Sequence, residues 1–274
     1  MFITVINHTD TISDEELQRV LRAINRQISE DFAPHWGLQA KLRLEGRSTS
    51  QPDKLWPPDM RGEAILYLWD HTDVAGALGY HDQNARGIPY GFVFTELAKQ
   101  LGEDWSVTLS HEALELIADP QVNLLVAGPH PAQDRTVFHW YEMSDAVQNE
   151  TYQIDSVSVS NFVLPLYFTP DAEPGSRNDF LGIKHDGATL TSFGINPGGY
   201  IGFYDPLTQT HETFALAGDA AASKRLAIKK KQLASRKAHR ISRGSIAEIV
   251  GAQRLNVPIK AARPTATKHY EKID

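Results

Sequence analysis

Cysteine is absent from all 274 residues, which rules out a disulfide framework, thiolate metal ligands and a cysteine nucleophile. Long apolar runs are missing as well. No stretch approaches the roughly 18 apolar residues of a membrane-spanning helix. The opening Met1-Phe-Ile-Thr-Val-Ile-Asn-His8 also lacks the basic start and longer apolar core of a secretory signal. The expectation is a soluble, cytoplasmic protein with no membrane partner. Nucleotide and hydrolase signatures are equally missing. There is no GxGxxG, Walker A or GxSxG string and no internal repeat, so nucleotide binding, phosphoryl transfer and serine hydrolysis have no support.

Basic residues are scarce in most of the chain and crowded at one end. Residues 1–221 carry 13 Lys and Arg against 31 Asp and Glu, whereas residues 222–274 carry 14 against 3. This places a boundary between a folded acidic body and a basic tail, helical or disordered, at 222–274. Such a tail can neutralise phosphates, making nucleic acid a candidate partner. It lacks aromatic residues before Tyr270, which argues against specific base stacking.

What the body does contain is one chemically distinctive helix. Trp105 to Asp119 places Val107, Leu109, Ala113, Leu114, Leu116 and Ile117 as a buried amphipathic pattern, and Pro120 stops it. His111 and Glu115 fall one turn apart on the same face, with Glu112 about 100° round the axis and Asp119 a further turn along. In an HExxH helix the residues at i and i+4 hold zinc and the intervening Glu is the general base. Here Glu115 stands where the second His would be.

Before that helix, Phe2–Ile6 reads as a short β-branched strand, and Ser13-Asp-Glu-Glu16 as a capping box opening a helix to about Asp31. Phe32–Gly37 reads as a break, Ala40–Leu44 as an alternating strand and Ser48–Pro58 as a loop. Ala64–Trp69, apolar throughout, reads as a central strand. The glycine-rich 76–91 segment with Pro89 reads as an edge, Gly91–Thr95 as a strand, and a brief polar link leads to the His111 helix. Downstream, Tyr152–Ser160 alternates as a strand, and Tyr200–Tyr204 with Thr213–Leu216 suggests a hairpin.

This order, with the HExxE string, resembles the N-terminal half of zincin metalloproteases over residues 1–150, with a β-rich extension at 151–221. The resemblance implies an α+β fold in which a twisted mixed sheet with an exposed edge strand lies over the active-site helix. It also implies a peptide or protein substrate bound along that edge. In Trp140-Tyr-Glu-Met-Ser-Asp-Ala-Val147, Glu142 is similar to the third, glutamate ligand of gluzincins. Asp145 follows it one residue closer than the family's acid that supports a metal-binding His. The implied centre is a divalent cation, zinc with manganese or ferrous iron as alternatives, held by His111, Glu115 and Glu142, with Glu112 as base. His139, Asp119 and His81 are rival third ligands. His139 reads as a packed strand histidine and His81, beside Asp82, as a turn histidine. Tyr152 is the chosen oxyanion donor, with Tyr141 and His139 as alternatives. Two carboxylates neutralise a divalent cation, so its bound water is less acidified than beneath two histidines and one carboxylate. The alternative function is a non-catalytic module that recognises a partner through the edge strand and the tail.

Overall fold

The computed structural model describes residues 1–45, 63–71, 78–83, 87–170, 176–216 and 218, all within one unit spanning Met1–Gln232. The 48–58 loop and the basic tail at 222–274 lie outside the described residues. The class is α+β, with a twisted mixed sheet and a separate antiparallel sheet. Among the described residues no helix is long and apolar enough to cross a membrane.

The first sheet contains β1 (Phe2–Asn7), β2 (Lys41–Glu45), β3 (Ala64–Trp69), β4 (Gly79–Gln83) and β5 (Pro89–Phe94), in the spatial order β2-β1-β3-β5-β4. Four strands are parallel and β4, at the end, is antiparallel to β5. The apolar run of β3 is central, as its composition requires. Pro89 does not mark the edge. It is the first residue of β5, a position that proline tolerates because the ladder has barely begun.

Ser13 caps α1 (Asp14–Arg26), its hydroxyl accepting the Glu16 N–H at 3.1 Å. The helix buries Leu17, Val20, Leu21 and Ile24 against the sheet. It does not break near Phe32. The chain widens into a π-helical stretch at Gln27–Phe32 and continues as α2 (Ala33–Trp36) to Gly37, which adopts φ +67°. The wide turn is closed by the Ala33 N–H on the Ile28 carbonyl, and Pro34 then sits in a first turn where its missing N–H leaves no gap. The polar link before the His111 helix contains a short helix, α3 (Thr95–Leu101), ended by Gly102 at φ +71°.

α4 (Trp105–Ala118) is the central helix, with 12 of its 14 residues buried. One side packs on β4 and β5, and another on β9 (Val157–Ser160), which pairs with β8 (Thr151–Ile154). Two serines fix the second contact: Ser106 donates to the Ser158 carbonyl at 2.8 Å, and Ser110 accepts the Ser160 N–H at 2.7 Å. The expected single strand at 152–160 is therefore a hairpin. It reverses at Asp155 and Ser156, both at positive φ, as a two-residue hairpin turn requires.

The second sheet has the order β11-β10-β7-β6 and is antiparallel throughout. Its strands are β6 (Leu125–His130), β7 (Gln133–Trp140), β10 (Tyr200–Asp205) and β11 (Thr210–Ala215). The 200–216 hairpin forms as expected and packs its first strand on β7.

The loops beyond α4 are tied by a buried network on Glu150. One carboxylate oxygen meets His185 Nε2 at 2.6 Å and accepts from the Asn196 amide at 2.7 Å, and the other accepts from the Asn161 amide at 2.6 Å. Glu150→Ala is expected to cost about 3–5 kcal/mol in a urea titration, because it strands buried donors on three segments at once.

Candidate metal centre

α4 turns His111, Glu112 and Glu115 into the interior rather than toward water. Burying three ionisable groups on one helix is costly unless partners compensate, so what faces them is informative. Two other segments supply the facing groups. The stretch after β7 brings Glu142 and Asp145. It is held in place by fully buried Met143, whose carbonyl accepts the Val163 N–H at 2.7 Å. β4 brings His81, which sits opposite Gly91 in the register with β5, on the same face as Gly79 and Val93. His81 is therefore a strand residue directed at α4 and not a turn histidine.

Glycine at position 79 makes this approach possible. A Cβ there would lie 2.8 Å from Thr108 Cγ2 and from the Phe92 carbonyl oxygen, and 2.9 Å from Glu112 Oε1. Gly79→Ala is expected to lift β4 off α4 and part His81 from Glu112. That should lower stability by about 1–3 kcal/mol in chemical denaturation and weaken cation binding.

The six side chains form two overlapping groups. His111 Nε2 lies 3.2 Å from Glu115 Oε1 and 3.2 Å from Asp145 Oδ1. His81 Nδ1 lies 3.0 Å from Glu112 Oε2 and 3.6 Å from Glu115 Oε2, while its Nε2 is 3.7 Å from Glu142 Oε2. In each of the sets His111–Glu115–Asp145 and His81–Glu115–Glu142, one donor atom per residue lies within 4.8 Å of the others, and all are buried. Such nitrogen-and-carboxylate sets suit zinc, manganese or ferrous iron.

The electrostatics favour a positive charge. Burial by itself depresses the His111 pKa, but the field of Glu115 and hydrogen bonds to Asp145 and Glu115 reverse this and push it up to about 10. The site thus holds a proton tightly where a cation would bind. Glu115 Oε1 also accepts the Ser144 N–H at 3.2 Å, which fixes the carboxylate plane, while Oε2 has no hydrogen-bond partner.

Several sequence expectations are redistributed. His111, Glu112 and Glu115 converge as expected. Glu142 belongs to the cluster, but it faces His81, and Asp145 takes its place beside His111. The segment carrying them is a loop with a 3-10 turn at Asp145–Val147. Tyr152 is directed elsewhere: its hydroxyl donates to Asp31 at 2.7 Å and its ring packs on Phe180. Burial, reinforced by Asp31, keeps that hydroxyl protonated. Asp119 serves the turn after α4, accepting the Leu124 N–H at 2.9 Å. His139 bonds the Pro129 carbonyl at 2.8 Å and packs between Phe193 and Phe203, a histidine whose pKa burial lowers. Tyr141 packs on Trp36 and Phe168.

Family models, curated proteins and solved structures yield no match to this chain. The chemistry therefore has to be read from the cluster and its surroundings. A narrow crevice of about 10 Å³, room for a single water, adjoins the cluster, with Glu142 and Asp145 in its lining and Trp140, Tyr167, Phe168 and Tyr200 among its aromatic walls. Burial and the nearby Asp145 charge raise the Tyr167 pKa, so Tyr167 stays a neutral phenol donating to the Gly194 carbonyl at 2.9 Å.

Proposed function

We propose that the chain is a metal-dependent hydrolase of zincin-like type that cleaves a peptide or related amide bond. One observation carries this reading: the i and i+4 residues of α4, His111 and Glu115, point inward against carboxylates from another segment, with Glu112 beside them and a narrow crevice alongside. A mixed sheet whose last strand is antiparallel and packs on the same helix supports it. His111, Glu115 and Asp145 would hold the ion, with zinc first and manganese or ferrous iron as alternatives. A divalent cation there supplies Lewis acidity toward a carbonyl and acidifies water.

The chain's own groups do the rest. Glu112, positioned by the His81 imidazole, accepts the proton of the attacking water and returns it to the leaving nitrogen. His111 Nε2 faces the oxygens of Glu115 and Asp145 that would share the ion with it. The aromatic side chains beside Glu142 and Asp145 keep bulk water away from the cluster. The cysteine-free composition suits a reducing compartment such as the cytoplasm.

The test is hydrolysis of a mixed peptide library, read by mass spectrometry. Cleavage should stop on chelation and return on adding back one divalent cation. Cleavage that chelators leave untouched would defeat the proposal. A second reading, a binding module without catalysis, is favoured by β4 lying at the end of its sheet, where an extended peptide can add as a further strand. It predicts captured but uncut peptides.

A further inference from the structure

The two ligand sets share Glu115 but do not share the same oxygen of it. Oε1 faces His111 and Oε2 faces His81, so the carboxylate spans the two histidines. Resting on the metal reading above, we infer that the cluster is a two-cation centre. His111 and Asp145 serve one ion, His81 and Glu142 serve the other, and Glu115 bridges them.

Three further observations point the same way. The His81 side chain is 1 % exposed, and its Nε2, aimed into the cluster toward Glu142, has no hydrogen-bond partner; nor does Glu115 Oε2, on a side chain that is 0 % exposed. Buried polar atoms left in this state mark a position for something that binds them. The His81 tautomer protonated at Nδ1 donates to Glu112 at 3.0 Å, which turns the Nε2 lone pair outward as a ligand. Carboxylates hold metal-binding histidines in this way. Carboxyl counting agrees. Glu112, Glu115, Glu142 and Asp145 put four buried carboxyl groups at the cluster. Four carboxylates balance two divalent cations, whereas a single cation balances only two of them. A bridging carboxylate holds paired ions about 3.5–4 Å apart, the separation at which both can act on one substrate.

The experiment is a titration of chelator-stripped, full-length protein with manganese(II), counting bound ions by equilibrium dialysis and recording electron paramagnetic resonance. Two ions per chain with an exchange-coupled spectrum are expected. His81→Ala and, independently, Glu142→Gln should each reduce this to one uncoupled ion. One ion per chain in the unaltered protein would overturn the two-cation centre and leave the single-ion hydrolase standing. Two uncoupled ions, indifferent to both substitutions, would also overturn it. No bound ion would overturn both readings together.

Discussion

Glu112→Gln is expected to lower kcat for amide hydrolysis by about 10²–10⁴-fold, the usual contribution of a positioned general base, with cation content and KM nearly unchanged. The substitution is close to isosteric. With His81 in its Nδ1-protonated tautomer, the Gln side-chain oxygen can still accept across the 3.0 Å contact that Glu112 makes, so His81 and β4 keep their places. Only the capacity to take up a proton is removed. The decisive feature of the measurement is the split between kcat and metal content on the same preparation. A variant that retained more than a third of the activity would assign the base elsewhere. One that lost its cation along with its activity would make Glu112 a ligand.

Glu115→Gln is expected to abolish cation binding and also to lower the stability of the metal-free fold. In the unaltered protein, a cation at 1,000 times its dissociation constant adds about 4 kcal/mol. For a folded body of this size that corresponds to a rise in Tm of about 8–16 °C. The variant should show almost none of it, because both ligand sets lose the one residue they share. Its metal-free stability should fall, because Glu115 is the foremost charge stabilising buried, protonated His111, and relief of the unpartnered Oε2 offsets only part of that loss. Differential scanning calorimetry of both proteins, with and without cation, separates the two effects. An undiminished cation-dependent shift in Glu115→Gln would remove Glu115 from the centre.

How much of this was legible in the sequence depended on range. α4 could be read because its apolar spacing, its closing proline and the i, i+4 pair are local properties of one helix. The Ser13 cap, the apolar β3 and the 200–216 hairpin are local in the same way. His81 could not be read as a cluster member, because its direction comes from the register of β4 on β5 and from the space at Gly79 that lets β4 meet Thr108 and Glu112, about thirty positions away. The exchange of Glu142 and Asp145 has the same origin. The spacing from Glu115 suggested which segment returns to the helix, but the 3-10 turn at 145–147 decides which carboxylate meets which histidine. Tyr152 went astray because Asp155 and Ser156 reverse the chain and leave the phenol bonded to Asp31. The β6–β7 hairpin was masked by Pro129 and Pro131, which argue against strand when only the sequence is consulted.

The most direct test of the metal reading is an anomalous-scattering map, recorded at the zinc edge from crystals of the full chain grown with zinc and without chelator. A peak about 2.0–2.2 Å from a nitrogen of His111 and an oxygen of Glu115 is expected. A map without a peak in this cluster, with His111 still hydrogen-bonded to Glu115 and Asp145, would contradict the metal reading.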